Sequence, residues 1–277
     1  MRIGVIDSGV GGLTVAHEIM RQLPQEPLMY FGDTARCPYG PRPAEEVRTF
    51  TMQMIAHLAQ QRMKALVIAC NTATAVVLRE ISQVAPIPII GVIDPGARTA
   101  IKETKSGVIG VIGTEGTIRS GAYEQALKRI NPNVKVYSLA CPELAPFVEA
   151  GISNEREAYE IAQRSLSSFK GVPIDTLILG CTHYPLLSKY IRAVIGEQVK
   201  LISSAEETAR ELSVVLDYKG LLASQNQPAV PLQHKFFVSG NSTVMEQIAR
   251  TFLNAPLDLE QVNLANQTVC TLPWTNS

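Results

Sequence analysis

The chain contains Ala65-Leu66-Val67-Ile68-Ala69-Cys70-Asn71-Thr72-Ala73 and, later, Thr176-Leu177-Ile178-Leu179-Gly180-Cys181-Thr182-His183-Tyr184. In each, a short apolar run ends in a cysteine and then a threonine-bearing turn. Each reads as a buried strand followed by a turn and a helix. In open α/β sheets, ligands gather at the carboxyl ends of the strands. Two thiols presented this way predict a pair facing one ligand.

Outward from these two stretches, apolar runs alternate with helical patterns from end to end. Strands are expected at Arg2–Ile6, Leu28–Gly32, Ala65–Ala69, Ile87–Gly91, Val108–Ile112, Val134–Ser138, Thr176–Leu179, Val199–Ile202 and Lys235–Val238. Between them Val47, Phe50, Met54 and Leu58 recur at three- and four-residue steps, which predicts a helix over 43–61. Alternating β and α elements give an α/β fold with mostly parallel sheets flanked by helices. A strand and Gly-rich turn, Val5-Ile6-Asp7-Ser8-Gly9-Val10-Gly11-Gly12, return as Val111-Ile112-Gly113-Thr114-Glu115-Gly116-Thr117. The first precedes Cys70 by nearly the same interval as the second precedes Cys181. Two related domains facing across a cleft are therefore expected. One spans 1–96, carries Cys70 and is rejoined by 208–277; the other spans 97–207 and carries Cys181. The polar, proline-bearing run 224–232 reads as a surface connector, and Trp274 as a docking aromatic in a loosely structured tail.

Composition narrows the function. Of 277 residues 46% are hydrophobic and 18% charged, so a substantial core can form. Basic and acidic residues balance at 25 each, which argues against a nucleic-acid partner with a broad basic footprint. Apolar runs stop after about six residues where a membrane span needs roughly 20, so no membrane partner is expected. The first residues enter a strand directly, without a signal-peptide h-region. The five cysteines form no CxxC, and reduced thiols in a cytoplasmic protein are expected.

Asp7-Ser8-Gly9-Val10-Gly11-Gly12 resembles the start of a dinucleotide fingerprint, and Asp33 follows at a suitable distance. Thr14, however, stands where the third glycine belongs, and Asp7 would crowd a pyrophosphate. The turn instead offers backbone N–H groups and the Ser8 hydroxyl to a carboxylate. Cys70 and Cys181 each precede an expected helix N-terminus, where the dipole favours a thiolate. Cys37, Cys141 and Cys270 have no such placement and read as structural or incidental. His183 lies in the second turn, where it can orient and tune a neighbouring thiol or carboxylate. Asp7, Asp33 and Glu149 fall near strand ends or loop–helix junctions and are candidates to support the bases. Tyr39-Gly40, in a long Pro/Gly-rich loop, offers a hydroxyl and a backbone N–H. Three readings remain open on residues alone: a two-base isomerase, a cysteine hydrolase using His183 as base, and a metal-binding module using Cys70, Cys181 and His183.

Gly4-Val5-Ile6-Asp7-Ser8-Gly9-Val10-Gly11-Gly12-Leu13, Pro38-Tyr39-Gly40, Ala69-Cys70-Asn71-Thr72-Ala73 and Gly180-Cys181-Thr182-His183-Tyr184-Pro185 together resemble the glutamate racemases, of the cofactor-independent aspartate/glutamate racemase superfamily. The resemblance covers nearly the whole chain. It implies two α/β domains with the substrate between them, no cofactor and no metal. It also implies interconversion of L- and D-glutamate that supplies D-glutamate for peptidoglycan. Cys70 and Cys181 would be the two acid/base residues, Cys70 taking the proton of the D-isomer and Cys181 that of the L-isomer. Asp7 and His183, with Asp33 and Glu149, would support proton transfer. Asp7, Ser8, Tyr39, Gly40, Asn71, Thr72, Thr182 and His183 would contact the amino acid, with Thr114 and Thr117 as further candidates. The resemblance also implies a homodimer as the common assembly. Aspartate, one methylene shorter, is the alternative substrate.

Overall fold

The computed structural model describes residues 1–152, 154–223, 233–253, 257–264 and 274. The strands among them are β1 (Arg2–Asp7), β2 (Leu28–Gly32), β3 (Met63–Ile68), β4 (Ile89–Gly91), β5 (Val108–Gly113), β6 (Lys135–Ala140), β7 (Thr176–Gly180), β8 (Lys200–Ser203), β9 (Lys235–Val238) and β10 (Leu259–Gln261). The helices are α1 (Leu13–Gln22), α2 (Ala44–Ala59), α3 (Asn71–Val84), α4 (Ile93–Glu103), α5 (Glu115–Arg119), α6 (Ala122–Ile130), α7 (Leu144–Glu149), α8 (Glu155–Ser165), α9 (Ser188–Ile195), α10 (Ser204–Tyr218) and α11 (Thr243–Phe252).

All strand pairs are parallel, and they form two sheets. The first has the order β10-β9-β2-β1-β3-β4 and the second β6-β5-β7-β8. Read from the other edge, the second sheet runs β8-β7-β5-β6, the same arrangement as β4-β3-β1-β2. The internal repeat is thus a repeat of topology. β1 and β5 are equivalent, as are β3 and β7, whose ends deliver Cys70 and Cys181. The central strands β1, β3 and β7 are Val/Ile/Leu-rich and buried almost throughout, as parallel strands covered on both faces must be.

Nine strands form where the apolar runs lie, with ends shifted by a residue or two, and α2 fills the expected 43–61 helix. β10 was not expected. Leu259-Glu260-Gln261 has no apolar run and adds to the sheet edge only because β9 supplies a pairing partner. The second cysteine turn departs from expectation in a different way. It leads into a 3-10 turn at Tyr184–Leu187, with Pro185 in its first positions, and α9 begins only at Ser188. Proline lacks the N–H that an ordinary helix start would present there.

At the amino ends of β2 and β3, Lys64 and Glu26 form a buried ion pair, Nζ to Oε2 2.5 Å. Lys64 Nζ also donates to Leu221 O, and Glu26 Oε1 accepts from Ala223 N. This clamp anchors the chain leaving α10 before it returns to the first sheet as β9. The expected domain boundaries, after 96 and after 207, fall inside α4 and α10, which pack on each other. Trp274 is partly buried against the core beneath the first sheet. The connector 224–232 and Cys270 lie outside the described residues. No helix among the described residues is long and apolar enough to cross a membrane.

Candidate active site

The carboxyl ends of both sheets converge on one small cavity. Ser8, Tyr39, Gly40, Cys70, Asn71, Thr72, Thr114, Cys181, Thr182 and His183 line it, together with Pro38 and Ala145. A water molecule's centre can move through only about 10 Å³ of this space. A whole amino acid needs far more than this.

Polar contacts across the cleft hold it shut. Thr182 Oγ1 donates to Asp7 Oδ1 at 3.1 Å, and Val10 N donates to Glu149 Oε1 at 2.9 Å. Tyr123 OH donates to Asn71 Oδ1 at 2.6 Å, Thr72 and Thr114 share a hydroxyl bond of 2.8 Å, and Gly116 N donates to Gly40 O. Two glycines make this closeness possible. A Cβ on Gly11 would meet His183 Nδ1 and Thr182 Oγ1 at 2.6 Å, and one on Gly40 would meet Thr114 Cβ at 2.5 Å. The Gly-rich turn after β1 therefore serves the approach of the opposite lobe. Two of its amides are already taken by the protein's own carboxylates, Gly9 N by Asp7 Oδ2 and Val10 N by Glu149 Oε1.

Cys70 caps α3: its Sγ accepts from Ala73 N at 3.5 Å and lies 3.6 Å from Ser8 Oγ. The sequence predicts a thiol made more acidic by the helix. Burial, with the nearby Asp7 carboxylate adding to it, instead pushes Cys70 up to about 12. The amide and hydroxyl contacts offset this only partly. Asp7 is itself pushed up to about 6 by burial.

Cys181 has a different neighbour. Its Sγ lies 3.4 Å from His183 Nδ1, and His183 Nε2 meets Glu149 Oε1 at 2.5 Å. Burial works against a charged imidazole here, yet Cys181, Cys37 and Glu149 outweigh it and hold His183 well above its ordinary value. Glu149, despite its own burial, is held below the usual carboxylate range by His183 and Val10 N–H.

Asp33 sits elsewhere. It is buried and accepts from Tyr39 OH, Arg36 Nε at 2.7 Å and Ser239 Oγ at 2.5 Å, with no place in the cavity wall. The Tyr39 hydroxyl is thereby committed to Asp33 and away from the cavity. Thr117 lies behind Thr72 and Thr114, hydrogen-bonded to both. Asn71 is the cavity residue with capacity to spare: its buried Nδ2 hydrogen-bonds nothing in the protein. Sequence reading missed Tyr123, which aims Asn71, and Cys37, which contacts His183 and Glu149. Adjacency to Pro38-Tyr39-Gly40 was the available signal for Cys37; Tyr123, on α6, had none. Among the described residues, the groups that could jointly hold a metal are Cys37, Glu149 and His183, rather than Cys70, Cys181 and His183.

Residues 3–212 match the family model described as Asp/Glu/Hydantoin racemase. The chain is 53% identical over 256 residues to the glutamate racemase of Bacillus cereus, covering 92% of this chain and 94% of that one. Its fold is similar to the crystal structure of glutamate racemase isoform RacE1 from Bacillus anthracis, with TM-score 0.90, 51% identity and coverage of 95% and 97%. It is also similar to the Francisella tularensis glutamate racemase in complex with D-glutamate, with TM-score 0.86, 34% identity and coverage of 96% and 98%.

Proposed function

The chain belongs to the Asp/Glu/Hydantoin racemase family and is an isomerase, and from that premise we propose that it interconverts L- and D-glutamate without a cofactor, by two cysteine acid/base groups. The observation that carries this reading is the pair of cysteine turns. Equivalent strands of two repeated sheets deliver Cys70 and Cys181 to one closed cavity.

Inverting a stereocentre through a planar carbanion takes a base on one face and an acid on the other. One thiol and one thiolate suit a reversible reaction whose directions exchange roles. In the D-to-L direction Cys70 removes the α-proton and Cys181 delivers one; the reverse direction begins at Cys181. His183, 3.4 Å from Cys181 and braced by Glu149, gives that thiol a partner for its proton. Asp7 and Ser8 stand beside Cys70. The carbanion is the high barrier. Hydrogen bonds to the α-carboxylate in a site without bulk water lower it. The free Nδ2 of Asn71 is the donor at hand, joined by the hydroxyls of Ser8, Thr72, Thr114 and Thr182 once substrate replaces their present partners. Asp33 holds the Tyr39-Gly40 loop in place and acts on the reaction only through it.

The relative from F. tularensis was crystallised with D-glutamate, which favours glutamate over aspartate. We assign 1–96 with 208–277 to one lobe and 97–207 to the other, with α4 and α10 as the connecting helices. Substrate entry then opens the cleft between them. A cytoplasmic homodimer that supplies D-glutamate for peptidoglycan completes the reading.

The test is incubation of the purified, chelator-treated protein with each enantiomer of glutamate and aspartate in D2O. Circular dichroism follows inversion and mass spectrometry follows α-deuterium. Racemisation of both glutamate enantiomers, with one deuterium in each product and much slower turnover of aspartate, is expected. Absence of glutamate inversion, or hydrolysis in its place, overturns the proposal.

A further inference from the structure

We propose that Cys37, Glu149 and His183 form a binding site for a thiophilic divalent cation of the zinc type, and that its occupation switches the racemase off. The proposal rests on the racemase reading, because the residue it captures is the proton partner of Cys181.

The ligand atoms of these three side chains lie within 4.8 Å of one another. Zinc held by sulfur, imidazole nitrogen and carboxylate oxygen has bonds of about 2.0–2.3 Å. Its ligand atoms are then roughly 3.3–3.8 Å apart, so small side-chain movements close the site. The set is a mixture of donors that zinc prefers, and three protein ligands leave a fourth position open. A thiolate and a carboxylate balance the charge of the ion around a neutral imidazole. Binding releases the protons on Cys37 and His183 to solvent.

Access and support are both present. Cys37 and Glu149 are partly exposed, whereas His183 is buried behind them. Glu149 is oriented by Val10 N–H, and the second nitrogen of His183 faces Cys181, so two ligands already have outer partners. Gly9 leaves the space: a Cβ there would run into Glu149 Oε1 and come within 2.7 Å of Cys37 Sγ.

The consequences follow from where the ligands sit. Cys37 lies in the loop after β2, while Glu149 ends α7 and His183 follows β7. One ion would staple the two lobes shut across the cleft. It would also take His183 Nε2 and the Glu149 carboxylate; the imidazole stays beside Cys181 but is fixed with its proton on Nδ1 and can no longer accept the proton of that thiol.

The test uses the full-length protein after chelator treatment. Its racemase activity is measured first, which decides the racemase reading separately. Zinc is then titrated in, and cobalt is added to a parallel sample as a spectroscopic probe. Wild type is expected to lose activity reversibly, recover with chelator, and show a near-ultraviolet thiolate-to-cobalt charge-transfer band. Cys37→Ala and Cys37→Ser are expected to racemise glutamate, to lack that band and to need at least about tenfold more zinc for the same inhibition. If both variants are inhibited at the wild-type zinc concentration, the ion sits on Cys70 or Cys181 and the proposal fails. It fails equally if active wild type shows neither inhibition nor the cobalt band, or if fully active enzyme carries stoichiometric zinc.

Discussion

The turn after β3 and the turn after β7 occupy the same place in two copies of one topology, yet they surround their thiols differently. Cys70 is the cap of a regular helix, with an amide, a serine hydroxyl and a buried carboxyl group around it. Cys181 enters a 3-10 turn opened by Pro185 and has a histidine–glutamate pair behind it. Equivalent backbone positions bring the two sulfurs to one cavity. Under the proposed two-base mechanism, the difference in surroundings gives the two thiols separate routes for their protons. Asp7 links the two turns, lying near Cys70 and accepting from Thr182 of the opposite turn.

The sharpest way to break this comparison is to remove one sulfur at a time. Cys70→Ser and Cys181→Ser should each lower racemisation by about a thousandfold or more, since serine is a far weaker acid and base at neutral pH. In D2O, Cys70→Ser should still wash deuterium into L-glutamate, and Cys181→Ser into D-glutamate. If either variant racemises near the wild-type rate, the two turns are not partners.

Next in size is the stability cost of Asp7. Burial raises its pKa from 3.8 to about 6, so the folded protein holds this proton more tightly than the unfolded chain. Native stability therefore falls as pH rises through that window, and the full penalty stands above it. At about 1.4 kcal/mol per pKa unit the penalty is about 3 kcal/mol. Asp7→Asn keeps the shape and an acceptor for Gly9 N–H but carries no charge. It should lose most activity yet melt several degrees higher than wild type at pH 7.5, with the gain fading by pH 4. Thermal melts at both pH values check this, and an equal gain at both would separate Asp7 from the proton economy of the site.

The smallest expected effect tests closure. Gly40→Ala places a methyl 2.5 Å from Thr114 Cβ and so props the lobes apart near Cys70. A drop of about tenfold in kcat/KM, with folding intact, is the expected result, because misplacing a reacting group by about an ångström is costly. Unchanged kinetics would mean that closure at this loop contributes nothing to catalysis.

Much of the site was legible in the chain because its residues are local to strand ends. Ser8, Asn71, Thr72, Thr182 and His183 each lie within two residues of a strand's last buried position or a cysteine, and all line the cavity. Only adjacency to Pro38-Tyr39-Gly40 marks Cys37 locally, because its contacts are with His183 and Glu149, which arrive from the other lobe. The chain presents Tyr39 and Asp33 as separate candidates, while packing bonds them to each other. β10 carried no periodic signal, because an edge strand this short depends on its partner.

By itself the sequence determined the alternation of elements, the parallel sheets, the internal repeat and the two strand ends that carry the thiols. These depend on apolar periodicity and on turn residues within a few positions of one another. Only the tertiary structure decided which carboxylates stand behind which cysteine, and that burial raises the Cys70 thiol where the helix start alone would lower it. Desolvation and cross-cleft hydrogen bonds depend on what the opposite lobe brings, and no local stretch of chain encodes its distant neighbours.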